Sequence, residues 1–140
     1  MLTRRGFTAF ASCAICTITG FAATEVSAQG APAATSGLRR KVLSQVDGPA
    51  PGYVTIVAEV EIDADVMVAR HTHPGIESGY ILSGEIDLPI EGQATKTYKA
   101  GDAFQVPPNT PHAGVKSGAK PVRIVSTFVV EKSKPLASPA

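Results

Sequence analysis

The sequence predicts an all-β protein that folds as one small antiparallel β-barrel. Three observations support this prediction. Runs of β-branched and alternating residues recur along the chain, as in half-buried strands. Breakers built from Gly, Pro, Asn and Asp separate these runs. No stretch after residue 38 has a helical period long enough for a helix. Closure into a barrel removes the unpaired edges that a small open sheet would expose.

The length and the charge of the chain limit its class. The 140 residues suffice for one domain. The formal net charge is +1, there is no Trp, and aromatic residues make up 6% of the chain. The sequence therefore predicts neither a strongly basic surface nor a set of aromatic side chains on which bases could stack. We expect no nucleic-acid partner.

Residues 1–28 predict a bacterial signal peptide. Arg4 and Arg5 lie close to the start of the chain, no charged residue occurs from Gly6 to Thr24, and small residues follow up to Ala28. A positive start, an apolar middle and a small-residue cleavage site are typical of secretory signals. The Thr-Arg-Arg-Gly-Phe start resembles a twin-arginine signal, which exports proteins already folded. We expect a periplasmic or secreted protein with no stable membrane association after cleavage.

An uncleaved membrane anchor is the alternative interpretation of the same segment. Its 19 uncharged residues just suffice to span a bilayer. However, Gly20 and several Thr and Ser residues dilute the hydrophobicity, and a cleavage site follows. Both cysteines, Cys13 and Cys16, lie in this segment. The cleaved chain therefore offers neither a disulfide nor a cysteine-based zinc site, which suits an oxidising compartment.

We divide the remaining chain into a flexible leader over residues 29–37, a barrel domain over 38–131 and a flexible tail over 132–140. The leader is rich in Gly, Ala, Ser and Pro, and the tail carries Lys, Ser and Pro. The clearest predicted strands are Tyr53–Ile62, Val66–Ala69, Gly79–Leu88, Ala103–Val106 and Val122–Val130.

The last predicted strand is apolar on both faces around Ile124 and Val129. One face is able to fill the barrel, and the other needs cover. A second copy of the chain is the simplest source of that cover, so we expect a homodimer. The chain's own termini are the alternative source.

Three histidines carry the functional prediction. His71 and His73 are two residues apart, which places both imidazoles on one face of a strand. Glu77 follows across Pro74-Gly75, which we expect to turn the chain and return a carboxylate to the same side. His112 comes from a separate segment. Three imidazoles and one carboxylate suit a borderline divalent transition metal, whereas calcium and magnesium prefer oxygen ligands.

Together these residues resemble the two sequence motifs of the cupin superfamily. His71-Thr72-His73-Pro74-Gly75-Ile76-Glu77 followed by Gly84 is similar to the first motif, and Gly101, Pro107 and His112 are similar to the second. The resemblance covers about Val66 to Val115. It implies a double-stranded β-helix, a jelly-roll-like barrel, in which His71, His73, Glu77 and His112 bind one metal ion.

The chain departs from the family pattern outside the proposed ligands. Asp65 replaces the usual opening Gly of the first motif, and Lys116 replaces the closing Asn of the second. The Pro-x-Gly turn of the second motif is Pro107-Pro108-Asn109 here. Asn tolerates a left-handed backbone better than most residues, so we expect that turn to be retained.

The resemblance leaves the activity open, because the family includes enzymes and binding proteins. One hypothesis is a metalloenzyme that uses oxygen and acts on a small chelating molecule. Another is a metal-dependent binding module without turnover, and a third is a metal-free isomerase-like protein, which would need a base not found in the sequence. Tyr80, Tyr98, Glu85 and Arg70 are candidate pocket residues that also suit strand or surface positions. Folded export favours manganese or iron, with zinc, copper, nickel and cobalt as alternatives.

Overall fold

The computed structural model describes residues 36–116 and 119–140, and every helix or strand in these ranges is a β-strand. Ten strands follow one another along the chain: β1 Leu38–Asp47, β2 Tyr53–Ile62, β3 Val68–Thr72, β4 Gly75–Ser83, β5 Glu85–Leu88, β6 Lys96–Lys99, β7 Ala103–Val106, β8 His112–Lys116, β9 Val122–Glu131 and β10 Ser138–Pro139. The first sheet has the order β1-β2-β9-β4-β7, and the second has the order β10-β3-β8-β5-β6. All strand pairs are antiparallel. The predicted all-β fold is confirmed.

Strands β2 and β9 form the centre of the first sheet. Their residues alternate between buried positions and half-buried ones, apart from Arg123 of β9, which is exposed. Ala58 lies opposite Ser126, and Val60 lies opposite Ile124. Because successive side chains point to opposite faces, this register directs one set of residues into the barrel.

The barrel interior holds two apolar clusters. The larger cluster contains Val60, Ile62, Ile81, Ile86, Leu88, Ile90, Tyr98, Phe104, Val106, Val122 and Ile124. The smaller cluster contains Val54, Ile56, Ala58, Phe128, Val130 and Leu136. Packing constrains Gly79 of β4, because a Cβ atom at this position would lie 2.2 Å from the ring of Phe104.

The predicted strand Gly79–Leu88 is two strands in the structure. Gly84 has φ +79° and separates β4 from β5. Glycine adopts this left-handed backbone without the steric cost that a Cβ atom imposes. The break transfers the chain from the first sheet to the second.

Two departures from the family motifs also occupy left-handed positions. Asp65 has φ 62°, and Asn109 has φ 54°. Asn and Asp are the non-glycine residues that enter this region most readily. The backbone conformation expected at Asn109 is therefore present.

Strands β1, β6, β8 and β10 were not predicted from the sequence. In β1, charged residues dominate the first half and most side chains are exposed, so apolar alternation is hidden. The register of β1 comes from its partner β2, with Leu38 opposite Ile62 and Arg40 opposite Val60. Tertiary pairing rather than local pattern therefore creates this strand.

The end of the chain differs from the predicted flexible tail. Leu136 and Ala137 are buried, and Ser138 and Pro139 pair with β3 as strand β10. The single large apolar side chain of this segment, Leu136, joins the smaller core cluster. Its burial and the pairing with β3 supply the contacts that the composition of the tail did not reveal.

The outer face of the first sheet carries the apolar side chain of Val129, as the pattern of the last strand predicted, and further along the same face it carries the ion pair of Arg123 and Glu59. Val46, Val129 and Ile76 occupy one row, because Thr55 of β2 pairs with both Val46 and Val129, and Val129 pairs with Ile76. Val46 is 60% exposed and Ile76 is 43% exposed. The buried part of the tail packs elsewhere, against β3 and the core. Among the described residues, this outer row therefore remains uncovered.

The predicted signal peptide and most of the predicted leader lie outside the described residues. Within residues 36–116 and 119–140, no helix is long and apolar enough to cross a membrane.

We predict that Leu136→Ala lowers the free energy of unfolding by about 2–4 kcal/mol, because it empties a core position. Denaturant titration measures this change. Leu43→Ala is the matched control, because Leu43 is 50% exposed and its truncation is expected to cost less than about 0.5 kcal/mol. Equal effects of the two substitutions would contradict the burial of the tail.

Candidate metal centre

The three histidines converge from two neighbouring strands of the second sheet. His71 lies in β3, His73 follows the end of that strand, and His112 begins β8, where it pairs with His71. The ring centroids of His71 and His112 are 4.3 Å apart, and His73 lies 4.9 Å and 5.1 Å from them, respectively. One nitrogen from each ring lies within 4.8 Å of the others. His73 and His112 are buried, and His71 is partly buried. The group is thus able to hold a metal ion.

A backbone carbonyl orients each imidazole. The Nδ1 atoms lie 2.7 Å from the carbonyl oxygen of Ala69 for His71, 2.5 Å from that of Leu136 for His73, and 3.0 Å from that of Thr110 for His112. A carbonyl oxygen only accepts hydrogen bonds, so each Nδ1 carries the proton and donates. In the neutral ring the free lone pair is then on Nε2. This is the tautomer that presents Nε2 to a metal.

Glu77 reaches the histidines from the opposite sheet. It lies within β4, where inward positions alternate with outward ones, and Ser126 of β9 donates a 2.8 Å hydrogen bond to its Oε1. Its Oε2 is 3.2 Å from Nε2 of His73 and 3.3 Å from Nε2 of His112. The expected turn at Pro74-Gly75 is instead the passage from one sheet to the other. The carboxylate is positioned by a strand rather than by a loop.

The protonation states favour metal ligation. Burial lowers the pKa of His71 from 6.5 to about 4, against the opposing effect of its bond to Ala69, so this ring is neutral at neutral pH. Burial by itself would raise the pKa of Glu77. Proton donation to the carboxylate from Nε2 of His112 and of His73, a place that a metal ion would take, and from the Ser126 hydroxyl holds that pKa below its ordinary value. The site therefore combines a carboxylate with neutral imidazole.

The contact between Glu77 and His112 indicates that the site suits a cation. Nε2 of His112 is buried and makes no hydrogen bond with any described residue, and its 3.3 Å approach to Oε2 is not aligned as one. In the tautomer set by Thr110, a lone pair faces a carboxylate oxygen. Two such acceptors repel unless a proton or a metal lies between them. Ligands about 2.1 Å from one ion and at right angles are about 3 Å apart, close to the observed separations.

A cavity of about 50 Å³ adjoins this cluster. Its walls are apolar side chains from both core clusters, among them Ile62, Phe104 and Phe128. Its polar side chains are His71, His73, Glu77, His112, Ser126 and Arg40. The described part of the chain thus gives the cavity two polar groups beyond the predicted metal ligands.

Sequence reasoning missed these two groups. Ser126 occupies an inward position of β9 that is otherwise apolar. Arg40 lies on β1 opposite Val60, whose side chain is buried. Ser126 could have been identified from the sequence, because it is a polar residue at a strand position whose alternation predicts an inward side chain. For Arg40 no such signal existed, because β1 itself was not predicted as a strand.

The four candidate pocket residues named from the sequence do not line the cavity. Tyr80 is 48% exposed, and Tyr98 packs in the core against Phe104. Glu85 is exposed, and Arg70 is exposed and forms an ion pair with Glu91. In the structure these four residues occupy strand or surface positions.

Comparison with solved structures agrees with the observed fold. The chain is similar in structure to an uncharacterized conserved protein with a double-stranded β-helix domain from Klebsiella pneumoniae, with a TM-score of 0.60, 20% identity, and coverage of 78% of this chain and 89% of the other. It is also similar to an RmlC-like cupin from Shewanella frigidimarina, with a TM-score of 0.57, 25% identity, and coverage of 66% and 76%, respectively.

A third similar structure is the oxalate decarboxylase of Lactobacillus farciminis, with a TM-score of 0.51, 26% identity, and coverage of 55% of this chain and 24% of the other. The chain therefore spans about a quarter of that protein. No curated protein matches the chain by sequence.

The cupin domain family matches residues 58–128, which is half of the chain. This range contains all three histidines and Glu77. The match, the two antiparallel sheets and the histidine cluster agree, and the chain belongs to the cupin family.

Proposed function

We propose that this cupin binds one divalent transition-metal ion through His71, His73, Glu77 and His112, and that the ion binds a small chelating molecule. The observation that carries the proposal is the convergence of imidazole Nε2 atoms on a buried carboxylate oxygen, with every Nδ1 occupied by a carbonyl. Hydrogen bonds to the second ring nitrogen are typical of metal-binding histidines.

The donor set selects the class of metal. Neutral imidazole suits iron, cobalt, nickel, copper and zinc, and carboxylate suits manganese and iron. We propose manganese or iron as the native ion, with zinc, copper, nickel and cobalt as alternatives. When bound, the ion would supply Lewis acidity and open positions for a ligand or for dioxygen. Ser126 would hold Glu77 in the orientation that ligation needs.

We propose turnover, as an oxygen-using enzyme, as the first form of this function. The oxalate decarboxylase with which the chain shares 26% identity is an enzyme with a small-molecule substrate. Metal-dependent binding without turnover is the second form. The cavity lining favours binding without turnover, because the described residues offer no histidine or carboxylate beyond the four proposed ligands that could act as a general base. Chemistry in this cavity would therefore depend on the metal.

The two forms are distinguished by oxygen consumption. The full mature chain is stripped of metal, loaded anaerobically with iron or manganese, and mixed with candidate chelating molecules. A ligand-dependent spectral change with oxygen uptake supports the enzyme, and the same change without uptake or product supports the binding module. Failure of any transition metal to bind would overturn both.

We predict that His73→Ala lowers the metal content and lowers the melting temperature of the metal-loaded protein by roughly 10 °C, because metal binds only the folded state. Elemental analysis and thermal unfolding measure the two effects. The control is the same variant compared with the parent after metal removal, where the difference is expected to be much smaller. Equal differences with and without metal would assign His73 a packing role only.

We also propose export by the twin-arginine route, supported by the Thr-Arg-Arg-Gly-Phe start. Arg4→Lys together with Arg5→Lys is expected to abolish periplasmic accumulation, because a receptor reads the arginine pair. Fractionation of the expressing bacterium measures this, with Lys41→Arg as a control outside the signal. Unchanged periplasmic yield would favour the general secretory route.

We further propose a homodimer that buries the outer row of Val46, Val129 and Ile76. These side chains lie in one row across the first sheet, in which Thr55 separates Val46 from Val129, and an isologous contact would cover the row on both copies. Ile76→Asp is expected to halve the mass measured by sedimentation, whereas Lys99→Asp, at an exposed position of the second sheet, is expected to leave it unchanged. A monomeric parent protein would contradict the proposal.

A further inference from the structure

One cationic side chain enters the cavity from the edge of the first sheet. Arg40 lies opposite Val60, so its side chain is on the inner face of β1, and it lines the cavity together with Leu38. Its neighbours in sequence, Arg39 and Lys41, are exposed. Alternation along β1 therefore places a single positive charge of this strand toward the histidine cluster.

Arg40 differs from the other arginines that the structure describes. Arg39 pairs with Glu61 and Asp63, Arg70 pairs with Glu91, and Arg123 pairs with Glu59. Across residues 36–116 and 119–140, Arg40 has no carboxylate within 4 Å, and its buried Nε makes no hydrogen bond. Its guanidinium carbon lies 5.6 Å from the ring centre of Phe128. A buried donor without a partner indicates a missing acceptor.

Glu77 does not fill this role. Its Oε1 accepts the hydrogen bond of Ser126, and its Oε2 faces His73 and His112. Burial lowers the pKa of Arg40 and the charge of Glu77 opposes this effect, yet a guanidinium remains charged at neutral pH. The Arg40 charge is thus near the site without being neutralised by a direct contact.

The charge balance of the loaded cavity favours an anion. Its walls carry one acidic side chain, Glu77, and one arginine, Arg40, and the other lining residues of the described chain are apolar, Ser126 or histidine. A divalent ion would raise this balance to two positive charges, with the histidines counted as neutral ligands. A buried excess of positive charge is costly unless an anion accompanies it.

The size of the cavity limits the anion. A water needs about 10–15 Å³ when volume is measured in this way, so a cavity of about 50 Å³ holds only a few non-hydrogen atoms. The largely apolar walls offer a sugar few hydrogen-bond partners. A carboxylate matches the planar fork of a guanidinium and also coordinates metals.

We propose that Arg40 is the anion-binding residue of this site and that the ligand is a small carboxylate of two or three carbons, held between Arg40 and the metal ion. The inference rests on the metal site proposed above and specifies the class of its ligand. It assigns Arg40 a role in ligand binding and none in holding the metal.

The test uses the full mature chain loaded with cobalt(II), whose absorption spectrum reports ligand binding. The probes are glycolate and its neutral counterpart glycolamide, which share the chelating hydroxyl. The parent is expected to bind glycolate more tightly. Arg40→Gln is expected to weaken glycolate binding by about 10- to 100-fold, the loss of one charge-assisted contact, and to leave glycolamide binding and cobalt content unchanged.

Two further variants complete the test. Arg40→Lys is expected to retain part of the preference for glycolate, because it keeps the charge but loses the planar fork. Arg39→Gln, one residue away on the exposed face, is expected to change neither affinity. Equal glycolate affinity in Arg40→Gln and the parent would overturn this proposal alone, and so would loss of cobalt in Arg40→Gln. Absence of cobalt binding by the parent would overturn the metal site itself.

Discussion

The hydrogen bonds between three imidazole Nδ1 atoms and three backbone carbonyls are the interactions on which the site depends. The carbonyls belong to Ala69, Thr110 and Leu136, and these residues lie in separate parts of the chain. Each bond selects one tautomer and one ring orientation, so the Nε2 atoms face a common centre. The arrangement is built by backbone geometry, which the barrel holds in register.

The final segment of the chain has an unexpected part in this arrangement. Leu136 contributes its side chain to the core and its carbonyl to the bond with His73. The same residue therefore couples the packing of the chain end to the orientation of a proposed ligand. A tail that adds a short strand beside β3 is thus a component of the site.

The interior of the barrel is apolar apart from a compact polar group, and this contrast determines its chemistry. Burial keeps His71 neutral, whereas the neighbours of Glu77 keep that side chain ionised despite its burial. Opposite effects on two adjacent groups create a donor set for a cation. Arg40 adds a positive charge at the side where β1 borders the cavity, so cation and anion recognition would occur within one small volume.

The sequence by itself determined the all-β class, the positions of β2, β7 and β9, and the identity of the histidine cluster. These features are local, because alternation along a strand and the spacing of His71 and His73 depend on few neighbouring residues. Only the tertiary structure decided that Leu136 is buried, that Glu77 lies on a strand, and that Arg40 faces the cavity. Each of these depends on pairing between segments far apart in the chain, as when β1 takes its register from β2. No local pattern encodes such pairing, because its energy comes from contacts that exist only after the sheets have formed.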